Sequence, residues 1–396
     1  MIDPLLALRT EFPILARTNY LVSNSLGAMP RATADRVAEY ARAWTERGVR
    51  AWADGWWGMP VTVGDEIAPL IGADAGEVAM VPNVTMAHAA VLSALDFTPP
   101  RDTIVMTALD FPSVRYVVER LAPRLGARVV TVPSEDGIAV DTERTIEAID
   151  ERTAFVNLSH VLFKSAYIHD VAAIAARARE LGAVTIIDGY QAVGTIPVDV
   201  AALGVDVYIG GCLKWLCGGP GAAFLWVRPG IRDRLAPRLT GWMAHARPFA
   251  FAPALERRTD AWRFLHGTPN IPAFYAARAG LEVIGRVGIP AIRAKSQRQT
   301  ARLIALAEAR GYRCTTPHDP DRRGGTVTID VEHGYEVSLG LKAREILSDY
   351  RPGAGIRLSP HFYTHDDELD AALDAIAEIL AGDGWRAFTT QRSTVT

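Results

Sequence analysis

Lysine is scarce in this 396-residue chain: its 42 basic residues comprise 38 arginines and only Lys164, Lys214, Lys295 and Lys342. Arginine keeps its proton, so among side chains these four alone offer an amine that can turn nucleophile or base. Cysteine is scarce too. Cys212, Cys217 and Cys314 form neither a disulfide framework nor a zinc pattern. Each reads as a small buried hydrophobe, and no metal is expected. No apolar run reaches the roughly 18 residues of a membrane-spanning helix. The opening MIDPLLALRTEFP lacks the basic stretch and apolar run of an export signal. Neither sign of charge dominates: a net charge of −3, with both signs interspersed, argues against nucleic acid or a membrane as partner. With a composition ordinary for a soluble globular protein, the chain is expected to be cytoplasmic.

The apolar residues that are present come in a regular order. Short β-branched runs (EVAMVP, DTIVMTA, ARVVTVP, TAFVNLSHV, AVTIIDG, DVYIGG, AAFLWVRP) alternate with amphipathic helical stretches between about residues 76 and 230. Strands apolar on both faces, joined by helical crossovers, imply an α/β fold whose mostly parallel sheet is covered by helices. The last third reads as two long helices (270–286 and 289–310), a strand in GTVTIDV, a helix, a strand in GIRLSP and a final helix at 366–380. The expected organisation is an N-terminal segment (1–30) packing on a small C-terminal α+β domain (286–396), with a large domain (31–285) between.

In open parallel sheets ligands bind beyond the carboxyl ends of the strands. Asp110 and Phe111, Ser159 and His160, Asp188, and Lys214 all fall there. Lys214 sits in VDVYIGGCLKWLCGGPG with no carboxylate within seven positions on either side, although an isolated ammonium is costly to bury. Asp188, after the apolar run VTII, is expected to be buried and to need a cationic partner. A direct Asp188–Lys214 pair is one possibility. The other is a cofactor lying between them, and pyridoxal phosphate suits that place: its aldehyde needs a lysine and its pyridine nitrogen an acid. Its phosphate needs a helix N-terminus, which Asn83-Val84-Thr85 supplies.

Those residues, with the run FVNLSHVLFKSAYIHDVAAIAARARELGAVTIIDGYQAVGTIPVDV and then GGCLKWLCGGPG, resemble the class V, fold type I, pyridoxal-phosphate enzymes. Within that group YLVSNSLGAMPRATA, GWMAHARPFAF, WRFLHGTPN and AIRAKSQRQT are most similar to kynureninase. The likeness spans nearly the whole chain. It implies that Lys214 forms the Schiff base and shuttles protons, that Asp188 meets the pyridine nitrogen, and that Gln191 meets the ring's phenolic oxygen. Phe111 would stack on the ring, with Ser113 near the phosphate and Ser159 at the same strand end. Val84 and Thr85 would bind the phosphate, as would Trp242 through its indole N–H. Thr268 matches a residue supplied by the other subunit, which implies a homodimer with shared sites. Arg357 would grip the substrate's α-carboxylate with its bidentate fork, Asn24 would lie beside it, and Trp57 would face the substrate's aromatic ring. Hydrolytic Cβ–Cγ cleavage of L-kynurenine or 3-hydroxykynurenine follows, with a class V aminotransferase or β-eliminating lyase as the alternative.

The residues themselves also allow plainer roles. Phe111 and Trp242 suit an apolar core, Thr85 a helix cap, the three tryptophans at 52, 56 and 57 a subunit interface, and Arg357 an ion pair. Lys164, also after a strand, competes with Lys214. The likeness breaks at Leu213, where kynureninases carry a tyrosine, at Val114, where they carry aspartate, and at Gln191, where they carry histidine. Tyr190 and Trp215 are the candidates to replace the lost tyrosine. The loop RLSPHFYTHDDEL holds no cysteine of the kind cysteine desulfurases need.

Overall fold

The computed structural model describes residues 3–391. The strands are β1 (Asn19–Tyr20), β2 (Val78–Val81), β3 (Thr103–Thr107), β4 (Arg128–Val132), β5 (Thr153–Ser159), β6 (Val184–Asp188), β7 (Val207–Gly211), β8 (Ala223–Val227), β9 (Arg313–Cys314), β10 (Val327–Asp330), β11 (Ile346–Leu347), β12 (Asp349–Arg351) and β13 (Gly355–Leu358). Seven of them form one sheet in the order β2-β8-β7-β6-β5-β3-β4, in which β8 alone runs against the rest. Every residue of β2, β3, β5, β6, β7 and β8 is buried, as a sheet covered on both faces requires. One apolar cluster lies on each side. The first joins Val105, Val156, Ile187 and Tyr208 to the helices Val171–Glu180 and Ile271–Val287, and the second joins Ile104, Phe155, Ile186 and Ile209 to the helix Val84–Leu92.

A second, antiparallel sheet runs β12-β13-β10-β9 and packs on the helices Ile289–Glu308 and Asp366–Ala381 through Leu303, Ile329, Ile356 and Leu373. The first residues of the chain reach this part of the molecule: β1 pairs in parallel with β11, Asn19 against Ile346. The fold is therefore the expected α/β architecture with a smaller antiparallel sheet. No helix of the described residues is long and apolar enough to cross a membrane.

Candidate active site

Parallel pairing brings the strand ends into one line. Ser159 at the end of β5 is in register with Asp188 at the end of β6, and Asp188 with Ile209 of β7, five residues before Lys214. Asp110, just past β3, ties this edge together by accepting the backbone N–H groups of Thr107 and Ser159, both at 2.8 Å. Beyond the edge lies a pocket of about 220 Å³ lined by Asn83, Val84, Thr85, Phe111, Ser113, Ser159, Val161, Phe163, Asp188, Tyr190, Gln191, Leu213 and Lys214. A larger groove of about 500 Å³ runs past Glu135, Asp141, Glu143 and Arg144. Its charges are mostly exposed ones that water can solvate, and it brings together no comparable set of reactive groups.

Lys214 keeps part of its surface open to the pocket, and among the described residues its amine forms no hydrogen bond or ion pair. It faces aromatic rings instead, with Nζ 4.7 Å from the Tyr190 centroid and 5.6 Å from that of Phe111. The protein packed around the amine, then the Arg357 charge, pull its pKa down to about 8, against the opposing pull of Asp188 and Asp349. Lys164, by contrast, is occupied: its amine donates to the Pro352 carbonyl at 3.1 Å. Asp188 is buried, which pushes its pKa up, while the Tyr190 N–H at 2.9 Å and the Lys214 charge pull it down. The two groups are not in direct contact as an ion pair. A carboxylate and an amine share one wall of a slot and leave the space between them open.

A helix start forms another part of the pocket wall. Asn83 caps the helix Val84–Leu92, its side chain accepting from Met86 N–H at 2.9 Å, so the first turn's N–H groups start at the pocket wall. Phe111 caps the helix Pro112–Leu121 and packs edge-on against Phe163, their centroids 5.1 Å apart. An unpaired amine, a buried acid, an aromatic ring and a helix N-terminus are groups that suit pyridoxal phosphate, and the residues present fit it.

Asn24 approaches from the N-terminal segment. Its backbone carbonyl accepts from Gln191 Nε2 at 3.0 Å, and its side chain is buried with neither amide atom bonded. Gly27, three residues on, lets this segment lie against the lysine loop. A Cβ there would fall 2.1 Å from the Lys214 carbonyl oxygen. Arg357 is buried and already engaged. Its Nε donates to Asp349 Oδ1 at 2.6 Å, Nη2 to Asp349 Oδ2, and Nη1 to the Phe163 carbonyl. Asp349 is also paired with Arg351 at 3.1 Å. Sequence reasoning named Arg357 but missed Asp349. The signal was the turn in DYRPGAGIR, which folds β12 back on β13 and sets Asp349 directly opposite Arg357.

Of the cofactor residues expected from sequence, Val84, Thr85, Phe111, Ser113, Ser159, Asp188, Gln191 and Lys214 converge on the pocket. Trp242 and Thr268 are not among its lining residues. The Trp242 indole N–H donates to the Pro248 carbonyl at 2.6 Å, not into the pocket, and Thr268 is exposed. Trp57 also lies elsewhere, packed with Trp242, Phe249 and Trp262 at centroid distances of 5.0, 4.8 and 6.2 Å. Trp56 lines a separate cleft with Arg47 and Tyr275. Of the two candidates for the lost tyrosine, Tyr190 lines the pocket, while Trp215 is enclosed and donates its indole N–H to Gln191. Pocket residues that sequence reasoning did not assign are Val161 and Phe163, apolar side chains that carry no chemical signal of their own; Leu213, where the likeness breaks, lines the pocket too.

The sheet, the slot beyond its edge and the lysine–aspartate pair define a fold type I pyridoxal-phosphate enzyme. Comparison with known proteins agrees. The chain belongs to the class-V aminotransferase family, whose model matches residues 20–348, and within it is kynureninase-like. It is 34% identical to kynureninase of Burkholderia pseudomallei (strain 1106a), across 97% of this chain and 94% of that one. Among solved structures, an apo cysteine desulfurase from Thermococcus onnurineus NA1 superposes with a TM-score of 0.84 at 22% identity, covering 96% of this chain and 99% of that one. A C-DES variant with glycine covalently linked to its pyridoxal-phosphate cofactor gives 0.85 at 21%, covering 93% and 99%. At such identities these two structures speak to the fold.

Proposed function

We propose that the chain hydrolyses the Cβ–Cγ bond of L-kynurenine or 3-hydroxykynurenine, releasing alanine and an anthranilate, as a step of tryptophan catabolism in the cytoplasm. The observation that carries this reading is the likeness to kynureninase along 97% of the chain. When bound, pyridoxal phosphate supplies an electron sink for negative charge developing at the substrate's Cα. Lys214 would hold the cofactor through its amine and, once the substrate's amine takes its place, is positioned to accept the Cα proton and to give one back. Water added to the γ-carbonyl would supply the anthranilate's carboxylate oxygen, so that the β-carbon leaves as part of alanine. Asp188 keeps a proton on the pyridine nitrogen, since a carboxylate buried this deeply favours a cationic partner. The helix start at Val84–Thr85 and Ser113 hold the phosphate, Phe111 covers the ring, and Gln191 donates to the phenolic oxygen.

Arg357 and Asn24 receive the α-carboxylate. Two features support this: the buried Asn24 amide lacks a partner, and Arg357 gives three of its five N–H groups to Asp349 and the Phe163 carbonyl, which leaves one on each terminal nitrogen. Trp57, Trp242 and Thr268 complete the pocket of a second copy in a homodimer with shared sites. In favour of this, Trp242 is 41% exposed and lies among exposed Phe249 and Phe251. In domain terms, residues 31–285 bind the cofactor, and 286–396 form the smaller unit with 1–30 packed on it. Leu213 in the pocket wall, where kynureninases carry tyrosine, favours a second reading as an aminotransferase or β-eliminating lyase on another amino acid.

The test is incubation of the holoenzyme with a panel of amino acids that includes both kynurenines, with products identified by mass spectrometry. Alanine and an anthranilate in equal amounts are expected. A keto acid from another substrate, with kynurenine untouched, would instead establish the second reading.

A further inference from the structure

Gln191 is held from two sides by groups that leave its amide one orientation. The Trp215 indole N–H can only donate, and it meets Oε1 at 2.8 Å, while the Asn24 carbonyl can only accept, and it meets Nε2 at 3.0 Å. Turning the amide over would set donor against donor and acceptor against acceptor between buried residues, a costly arrangement. The indole's own place is built around it. A Cβ on Gly325 would lie 2.7 Å from Trp215 Cη2, and one on Gly194 2.9 Å from Trp215 Cβ. His361 closes the other side, with its ring edge-on at 5.5 Å and Nε2 bonded to the Trp215 carbonyl at 2.9 Å. Gln191 lines the pocket, and its Nε2 has a second hydrogen beyond the one given to Asn24.

We propose that Trp215 is a positioning residue, whose indole N–H locks the Gln191 amide so that an N–H, and never the carbonyl oxygen, is offered to the phenolic oxygen of the cofactor ring. This rests on the reading that Gln191 meets that oxygen. A donor there stabilises the oxygen's negative charge. The proton shared between this oxygen and the lysine imine is then lost at lower pH. Removing the donor, or freeing it to turn away, moves that loss to higher pH. Placing the lock on the residue next to Lys214 ties the ring's electronic setting to the loop that carries the Schiff base.

The experiment is a visible-absorbance pH titration of the holoenzyme for wild type, Trp215→Phe, Gln191→Leu and the double variant. Gln191→Leu should raise the midpoint by about one pH unit, tenfold in the proton equilibrium. Trp215→Phe should raise it by a substantial part of that, and should add nothing in the Gln191→Leu background. A benzothienyl-alanine at 215 keeps the ring's volume and drops only the N–H, so its shift should match that of Trp215→Phe even if the phenylalanine variant folds poorly. An unchanged midpoint with the isostere, or a Trp215 effect that persists without Gln191, would overturn the inference. A midpoint unmoved by Gln191→Leu itself would overturn the underlying reading of Gln191 instead.

Discussion

Lys214 shows how a single side chain's surroundings set when it can react. Its pKa falls from 10.5 to about 8, chiefly through the protein packed around it. A lowered lysine pKa means the neutral amine is available earlier on the pH scale. Capture of pyridoxal phosphate by the cofactor-free protein should therefore speed up roughly tenfold per pH unit below pH 8 and level off above it. Levelling only near pH 10 would show an ordinary, solvated amine. Between about 8 and 10.5 the unfolded chain would bind a proton that the folded chain does not, so the cofactor-free fold gains stability as pH rises through that window. Lys214 was legible in the sequence because lysine is rare and this one has no neighbouring carboxylate. Asp349, the partner of Arg357, carried a local signal in the DYRPGAGIR turn that went unread, whereas Trp215 and Asn24 reach Gln191 through long-range packing that no local pattern records.

At the level of elements, the seven strands of the large sheet are the seven apolar runs of the sequence, because strands covered on both faces are apolar nearly throughout; only β4, at the sheet edge, is partly exposed. Their carboxyl ends carry Ser159 and Asp188, so reading the strands also located the site. The short strands β1, β9, β11 and β12 were not legible: two or three residues cannot show a period. Yet β12 is what holds Arg357, through the fully enclosed Asp349 opposite it. Asp349→Ala should leave the Arg357 guanidinium buried without its counter-charge and destabilise the fold by about 3–5 kcal/mol. Urea unfolding checks this, and a loss below about 1 kcal/mol would show that solvent or another group takes over the pairing. The tryptophan run at 52–57 resisted reading for a different reason. It folds as a π-helical turn broken at Gly55 (φ 154°), which buries Trp56 and turns Trp57 toward Trp242 and Trp262.

At the scale of the whole molecule, one slot gathers residues from the helix start at Val84, the Phe111 cap, the ends of β5 and β6, and the loop after β7, and the Asn24 carbonyl, from the N-terminal segment, bonds Gln191 of its wall. Trp57, Trp242 and Thr268 stay outside it within one chain, which is where the proposed second copy enters. The lysine decides whether the slot is what this account makes it, and that can be asked in one measurement. Holoprotein is reduced with borohydride, digested and mapped by mass spectrometry for the peptide carrying the reduced cofactor. The expected result is a single label on Lys214. A label on Lys164, or none on either, would contradict the assignment of the site.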